Sequence, residues 1–194
     1  YYDIENDQTF YSITRKKKSL IGTFYYGNAT TIDELTSSCI LYNGATSCKI
    51  NIPLTPYKYK ETDFQNWSSD KNTYTKVENM IIETNTTYYA YYEREVTLNY
   101  HTGEVNYNSI ITYTGKVKYI TSENGDNETI PEFTIQKPSE MNTYTVLGWR
   151  TDDATASSDS TYAIGKTISL KNSINLNAVY SRSISLIYEV SGGP

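Results

Sequence analysis

The stretch that decides the fold is residues 83–100, which read ETNTTYYAYYEREVTLNY. A related stretch, KNSINLNAVYSRSISLIY, occupies residues 171–188. At an offset of about 88 residues the aligned pairs include Ala90/Ala178, Tyr92/Tyr180, Arg94/Arg182, Leu98/Leu186 and Tyr100/Tyr188. Self-similarity at one fixed offset is typical of tandem repeats, so the sequence predicts two copies of one structural unit.

Each copy alternates apolar and polar residues on either side of a short polar break. The first break is Glu93-Arg94-Glu95, and the second is residues 181–183. A period of two indicates β-strands. The pattern therefore predicts the closing strand of one unit, a very short joint, and the opening strand of the next unit.

The repeat divides the chain into four predicted parts. Residues 1–17 are the tail of a preceding repeat or an N-terminal strand, 18–94 a first β repeat, 95–182 a second β repeat, and 183–194 the start of a further repeat or a C-terminal strand. The chain is thus interpreted as an excerpt from a longer protein. Because the joints are short, neighbouring units must abut, and we expect an elongated rod.

Composition favours a mainly β chain and excludes several classes of function. Tyrosine accounts for 21 of the 194 residues, against 4 phenylalanines and 2 tryptophans, and Thr, Ser and Asn are abundant, which suits strands and turns. The net charge of −5 argues against binding to nucleic acid or to an anionic membrane. No run of 18 apolar residues occurs, so membrane insertion is not expected.

Two cysteines flank the best-specified turn of the sequence. Asn43-Gly44 is a strong signal for a β-hairpin because both turn residues need a positive φ. Folding the chain about this turn places Cys39 opposite Cys48 at a distance that suits a bridge, so a disulfide in a cysteine hairpin is predicted. The alternative is a pair of free thiols in a reducing cytosol. A metal site would need more ligands, and His101 is the only histidine.

The aromatic residues admit two interpretations. Trp67 and Trp149 both precede a polar loop, which favours packing in the core of each unit. Tyr92 and Tyr180 occupy matching positions in the closing strands, on the faces that carry Tyr88-x-Ala90 and Leu176-x-Ala178, and these faces are expected to be the buried ones. The other interpretation is an aromatic platform that stacks on sugar rings or on side chains of a partner.

The second unit resembles the Listeria–Bacteroides repeat family, the B-repeat type of internalin-like bacterial surface proteins. The resemblance rests on Val146-Leu147-Gly148-Trp149-Arg150, on Tyr162-Ala163-Ile164-Gly165 and on the closing strand 175–180, NLNAVY. In the first unit Asn66 stands where the family has glycine, and the closing aromatic residue is replaced by Tyr92 in the first unit and by Tyr180 in the second. The resemblance implies a small β-grasp-like module in an array on a secreted or wall-attached protein, without catalytic residues. Longer units and the cysteine hairpin leave an immunoglobulin-like β-sandwich open as the alternative.

No motif for catalysis or for a cofactor occurs. The sequence lacks a phosphate-binding glycine loop, a Gly-x-Ser-x-Gly elbow, His-Glu-x-x-His and Cys-x-x-Cys. The acidic run 123–128, ENGDNE, lacks the ligand spacing of a calcium loop and is explained as a turn. We therefore expect no enzyme, no cofactor and no metal site, and the sequence does not identify a ligand-binding residue.

These observations predict a non-enzymatic repeat segment of a bacterial cell-surface or secreted protein, acting as a stalk or adhesion module outside the cell. Expected partners are a host or matrix protein or a surface glycan, together with neighbouring repeats of the same chain. The alternative is a carbohydrate-binding module of an exported enzyme, which would use Tyr and Trp platforms. Many repeats in the full-length protein would favour the first reading, and a catalytic domain elsewhere would favour the second.

Overall fold

The computed structural model describes residues 17–52, 56, 58–103, 110–141, 145–151, 162–181 and 185–188. The prediction of a mainly β chain is confirmed, and the described ranges contain no α-helix. The strands are β1 (Lys17–Asn28), β2 (Thr31–Tyr42), β3 (Cys48–Lys49), β4 (Asp63–Ser68), β5 (Ile81–Ile82), β6 (Thr86–His101), β7 (Ile110–Ser122), β8 (Gly125–Thr129), β9 (Glu132–Thr134), β10 (Thr145–Arg150), β11 (Thr167–Ser169) and β12 (Ile174–Ser181). A 3-10 turn covers Ser139–Met141. The predicted flanking parts, 1–17 and 183–194, lie outside the described residues except for Lys17 and residues 185–188.

The chain forms two compact units, and each combines two separate stretches. The first unit consists of Tyr1–Tyr92 with Tyr119–Asn127, and the second consists of Glu93–Lys118 with Glu128–Pro194. Strands β6, β7 and β8 each contribute residues to both units.

The sheet of the first unit has two parallel strands at its centre. β1 pairs with β2 in an antiparallel hairpin that runs from Lys17↔Tyr42 to Asn28↔Thr31. On its other side β1 pairs in parallel with the start of β6, from Gly22↔Thr86 to Tyr25↔Tyr89. β4 also pairs with β6. The strand order is therefore β2–β1–β6–β4.

One face of this sheet carries the core. Along β1 the side chains of Leu20 and Phe24 are buried, and along β6 those of Tyr88, Ala90 and Tyr92 are buried. Most of their neighbours along each strand are more exposed because successive side chains in a strand point to opposite faces. Tyr91 departs from the expected alternation, since it is 5% exposed and the ring of Tyr74 stacks on it at 3.9 Å. The apolar alternation of the sequence thus places one side of both strands against the interior.

β6 continues without a break through Glu93-Arg94-Glu95, where the sequence suggested a joint between two strands. The side chain of Arg94 points to the same face of β6 as those of the buried Tyr92 and Val96. The apolar alternation before the polar break and the one after it therefore fall on one face of a single strand. Its guanidinium is held within the second unit, where Nη2 donates hydrogen bonds to the Lys171 carbonyl (2.6 Å) and to Oδ1 of Asn172 (3.0 Å).

The sheet of the second unit also has parallel strands at its centre. β6 and β12 pair in parallel from Ile174↔Leu98 to Asn177↔His101. β10 pairs with β12 in the antiparallel sense, with Trp149 opposite Ala178, and β7 pairs with β6. The strand order is β7–β6–β12–β10. β9 and β11 form a separate two-stranded sheet.

The burial of the closing strand β12 corrects one expectation. Leu176 is buried as predicted for that face, but Ala178 and Tyr180 are only half-buried, while Val179 on the opposite parity is buried. The buried side of β12 switches after Asn177, the residue at which its pairing with β6 ends. β10 carries a bulge between Val146 and Gly148 at the same place, and a bulge bends and twists a strand.

Candidate functional sites

The structure contains a disulfide between Cys39 and Cys48, with a Cα–Cα distance of 6.0 Å. The turn between them has positive φ at Asn43 (50°) and Gly44 (85°), and the Ala45 amide donates a hydrogen bond to the Tyr42 carbonyl. Asparagine and glycine adopt a positive φ at low energetic cost, so these two residues are sufficient to account for the turn.

The strand pairing around the disulfide differs from the predicted cysteine hairpin. Beyond the turn, Cys48 lies in β3, which pairs with β5 through Cys48↔Ile82, while β2 pairs with β1. Ile50 and Ile82 are both buried, and the Ile50 amide donates to the Met80 carbonyl at 2.8 Å. Burial of these two isoleucines favours β5 as the partner of β3 over continuation of the hairpin.

Both tryptophans lie in the cores of their units. Trp67 is 4% exposed and packs edge-on against Phe24, with ring centroids 5.0 Å apart. Trp149 is fully buried, lies 4.4 Å from the ring of Tyr100, and donates from Nε1 to the Gln136 carbonyl at 3.1 Å. Neither indole is exposed to solvent as an aromatic platform requires.

Tyr92 is also fully buried, and its hydroxyl binds the backbone of β1. It accepts a hydrogen bond from the Gly27 amide (2.8 Å) and donates one to the Gly27 carbonyl (3.2 Å). Burial raises the pKa of the Tyr92 hydroxyl, and the hydrogen bonding to Gly27 offsets only part of this rise. Its sequence counterpart Tyr180 is half-buried and lies opposite Val146 in the β10–β12 ladder.

A different pair of tyrosines lies on the outer face of the first unit's sheet, opposite the core. Tyr25 in β1 and Tyr89 in β6 are directly paired in the parallel ladder, and both are half-buried. Their rings are nearly parallel, at 13°, with centroids 6.2 Å apart. Tyr25 is also the direct cross-strand partner of Glu34 in β2. We call Glu34, Tyr25 and Tyr89 the tyrosine row.

The tyrosine row borders a cleft of about 450 Å3 in the first unit. The cleft is lined by Tyr25, Thr30, Ile32, Asp33, Glu34, Tyr59, Ser122, Glu123 and Gly125. Its lining therefore combines two aromatic rings, three carboxylates and two aliphatic hydroxyls. Small-ligand sites are commonly concave, with a few fixed polar groups, and fall in this range of volume.

Hydrogen bonds fix the polar groups around the cleft. Oδ2 of Asp33 accepts from Nδ2 of Asn28 at 3.1 Å, and Oε1 of Glu123 accepts from Nζ of Lys71 at 2.6 Å. This bond from Lys71 is the main reason that the pKa of Glu123 is lowered. Partial burial raises the pKa of Tyr25, and a hydrogen bond to Glu34 raises it further.

The carboxylates of the acidic run 123–128 are paired with lysines. Asp126 binds Lys60 at 2.8 Å and Glu128 binds Lys171 at 2.8 Å, in addition to the Lys71–Glu123 pair. Among the residues that the structure describes, no group of three or more His, Cys, Asp or Glu side chains is arranged to hold a metal ion.

The sequence alone did not single out the cleft. Tyr89 falls on the face expected to be less buried, but nothing in the sequence indicates that it lies beside Tyr25, because their pairing joins strands far apart in the chain. Ser122 and Glu123 reach the cleft from the part of the chain that was assigned to the second repeat.

In comparisons with known proteins, no protein-family model, no curated protein and no solved structure matches this chain. Within the described ranges, no helix is long and apolar enough to cross a membrane. A disulfide in a β-rich structure is consistent with an extracellular protein.

Proposed function

We propose that this chain is a non-enzymatic repeat segment of a bacterial cell-surface or secreted protein, and that it acts as a stalk and adhesion module. The observation that carries the proposal is the matching strand order of the two units. In each, an opening strand and a closing strand are parallel neighbours, flanked by the strand that follows the opening strand and by the strand that holds the tryptophan.

The equivalent aromatic clusters support the tandem-repeat part of this proposal. In the first unit Phe24 is paired with Tyr88 and packs on Trp67. In the second unit Tyr100 is paired with Leu176 and packs on Trp149. Related residues at equivalent strand positions are what two copies of one unit would have.

The same strand order favours a β-grasp-like unit over an immunoglobulin-like sandwich. A β-grasp sheet places its first and last strands side by side and parallel at the centre, as β1 and β6 are in the first unit. An immunoglobulin-like domain instead packs two antiparallel sheets face to face. This topology also supports the resemblance to the Listeria–Bacteroides repeat family, which stays part of the proposal.

The elongated arrangement is a further part of the proposal and rests on the sequence repeat. Two abutting units of this size should give a radius of gyration of about 20 Å, whereas one fused globule of the same length should give about 16 Å. Small-angle scattering of the monomer distinguishes the two.

Location outside the cell is tested on intact source cells. An antibody raised against this chain should label intact cells or their culture medium, and protease added to intact cells should remove the surface label. Labelling that appears only after lysis would overturn the proposal. Retention of both cysteines in the oxidised state, measured by alkylation and mass analysis directly after harvest, would agree with the proposed compartment.

A carbohydrate-binding role is the second candidate, and one observation favours it. The tyrosine row and its cleft present aromatic rings and fixed carboxylates on the surface of the first unit. A stalk would not need this combination. Both tryptophans are buried, and the aromatic residues that line the cleft are tyrosines.

A further inference from the structure

We propose that the cleft beside the tyrosine row binds a neutral glycan, a polymer of uncharged pyranose units. This inference rests on the proposed adhesive role and assigns that role a ligand class and a site. The site lies wholly within the first unit.

The first argument is the position of the two tyrosine rings. Tyr25 follows the buried Phe24 in β1, and Tyr89 follows the buried Tyr88 in β6, so both rings lie on the face opposite the core. The core of the sheet is complete without them. An aromatic ring carries a negative face that attracts the polarised C–H groups of a sugar ring, and tyrosine adds a polar hydroxyl at its edge.

A second row of hydroxyl groups lies next to the tyrosine row. Two residues along each strand, Thr36, Thr23 and Thr87 are paired across β2, β1 and β6. They have the same parity as Glu34, Tyr25 and Tyr89, so they share the outer face. This threonine row is uncharged, and its hydroxyls can both donate and accept hydrogen bonds to a sugar that extends beyond the cleft.

The carboxylates supply acceptors for the hydroxyls of the ligand. Asn28 engages one oxygen of Asp33, and a carboxylate with two oxygens has further lone pairs for a second donor. Glu34 lies directly opposite Tyr25 in the β1–β2 ladder, so its carboxylate is presented beside the Tyr25 ring on the same face of the sheet. Pre-ordered acceptors lower the entropic cost of binding, which matters for a sugar because its hydroxyl groups must give up hydrogen bonds to water when it binds.

Charge around the cleft argues for a neutral ligand. Asp33, Glu34 and Glu123 would repel an anionic sugar such as a uronic acid. A basic peptide would be repelled by two lysines that contact lining residues from outside the cleft: Lys71 is bonded to Glu123, and Nζ of Lys60 lies 5.3 Å from the ring centroid of Tyr59. An uncharged polymer of hydroxyl groups meets neither repulsion.

The proposal is tested with the whole chain and a panel of neutral oligosaccharides, namely hexamers with cello-, malto-, laminari-, xylo- and chito-type linkages. Binding is measured by calorimetry and by amide chemical-shift mapping. At least one probe should bind at micromolar to millimolar concentration and shift the amides of the tyrosine and threonine rows. No binding by any member of the panel at millimolar concentration would overturn the proposal.

Three variants locate the site. Tyr25→Leu and Glu34→Gln should each lower the affinity about tenfold, since each removes one ring or one charged acceptor from the contact. Tyr42→Leu is the matched control, because Tyr42 is an exposed tyrosine of the same unit at the far end of β2, opposite Lys17 and eight residues from Glu34. It should change the affinity less than twofold. Equal losses for Tyr25→Leu and Tyr42→Leu, with both variants folded by circular dichroism, would place the binding elsewhere.

Two further measurements separate this inference from the proposed function. Hexalysine binding that disappears at high salt, without binding of any neutral probe, would make the cleft a cation site and overturn the glycan assignment, while the stalk would stand. Release of reducing ends from a bound oligosaccharide would overturn the non-enzymatic role, while the binding site would stand.

Discussion

The hydroxyl of Tyr92 satisfies a backbone position that the sheet leaves unpaired. It binds both the amide and the carbonyl of Gly27, and all of these groups are buried. Gly27 lies so close to Tyr59 that a Cβ there would be 2.3 Å from ring atoms. A side chain at this position would displace Tyr59, so glycine is required on steric grounds.

Replacement of Tyr92 by phenylalanine should therefore destabilise the first unit. The change leaves the Gly27 amide buried without its acceptor, which costs about 1–3 kcal/mol of the free energy of unfolding. Urea denaturation measures the loss. Tyr74→Phe is the matched control, because its hydroxyl is on an exposed loop, and it should change the free energy by less than about 0.5 kcal/mol. Equal effects for the two variants would contradict this account.

Burial of Tyr92 also predicts how stability depends on pH. In the unfolded chain tyrosine ionises near pH 10, whereas burial raises the pKa of Tyr92 in the folded protein. Above about pH 10 the folded state therefore binds more protons than the unfolded state, and the free energy of unfolding falls as pH rises. Below that pH the contribution is fully present.

Urea midpoints between pH 9 and pH 11 test this dependence. Because Tyr92→Phe removes one of the ionising groups, the variant should lose stability less steeply than the wild type, by up to about 1.4 kcal/mol per pH unit. Burial also raises the pKa of Tyr59, Tyr88 and Tyr100, so some alkaline loss should remain in the variant. Identical slopes would show that Tyr92 ionises normally in the folded state.

At the scale of single elements, the disulfide should contribute to the stability of the first unit alone. The bridged residues are 9 apart, and closing a loop of that length stabilises the folded state by at most about 2.6 kcal/mol on the chain-entropy model. Reduction should lower the urea midpoint of the first unit by a corresponding amount. The Cys39→Ser/Cys48→Ser double variant should match the reduced protein and should not respond to reductant.

Local patterns predicted the strands well because their causes are local. Alternation identified β6 and its buried face, and Asn43-Gly44 identified the turn inside the disulfide loop. The continuity of β6 was also readable, since Tyr92, Arg94 and Val96 keep one parity through the supposed joint. The polar residues Glu93-Arg94-Glu95 mark a part of β6 whose side chains are more exposed than their neighbours. They do not mark the end of a strand.

Pairings between distant strands could not be predicted from those patterns. β3 pairs with β5 and not with β2, and this pairing buries Ile50 and Ile82. Such burial depends on tertiary packing, which the local pattern does not contain. The half-burial of Tyr180 depends on where β12 leaves β6 and on the bulge in β10. The cleft was missed for the same reason, since its residues come from strands and loops that only the parallel pairing of β1 with β6 brings together.

At the scale of the whole molecule, the division into units does not follow the order of the chain. The first unit includes Tyr119–Asn127, which the sequence repeat places within the second copy. The Tyr119 ring packs edge-on against Tyr59 at 5.7 Å, and the Thr121 hydroxyl donates to the carbonyls of Tyr25 and Ala90. The first unit therefore needs this segment to complete its core.

A chain that ends at residue 94 should accordingly be less stable than one that ends at residue 127. Loss of Tyr119, Thr121 and their neighbours exposes apolar surface and unpairs buried carbonyls, which should cost at least about 3 kcal/mol. Urea denaturation with tryptophan fluorescence reports the first unit in both chains, because Trp67 is the only indole in either. Equal midpoints would show that residues 18–94 fold as an independent domain.

The parallel pairing at the centre of each unit has a mechanical consequence. In the first unit β1 is the first strand, β6 continues beyond Tyr92 into residues of the second unit, and the two strands run in the same direction. Tension between the ends of the unit therefore slides one strand along the other, so the hydrogen bonds from Gly22↔Thr86 to Tyr25↔Tyr89 are loaded together in shear. An antiparallel hairpin pulled from its open end loses its bonds one at a time. The second unit has the same geometry between β6 and β12 and should resist stretching without a covalent crosslink.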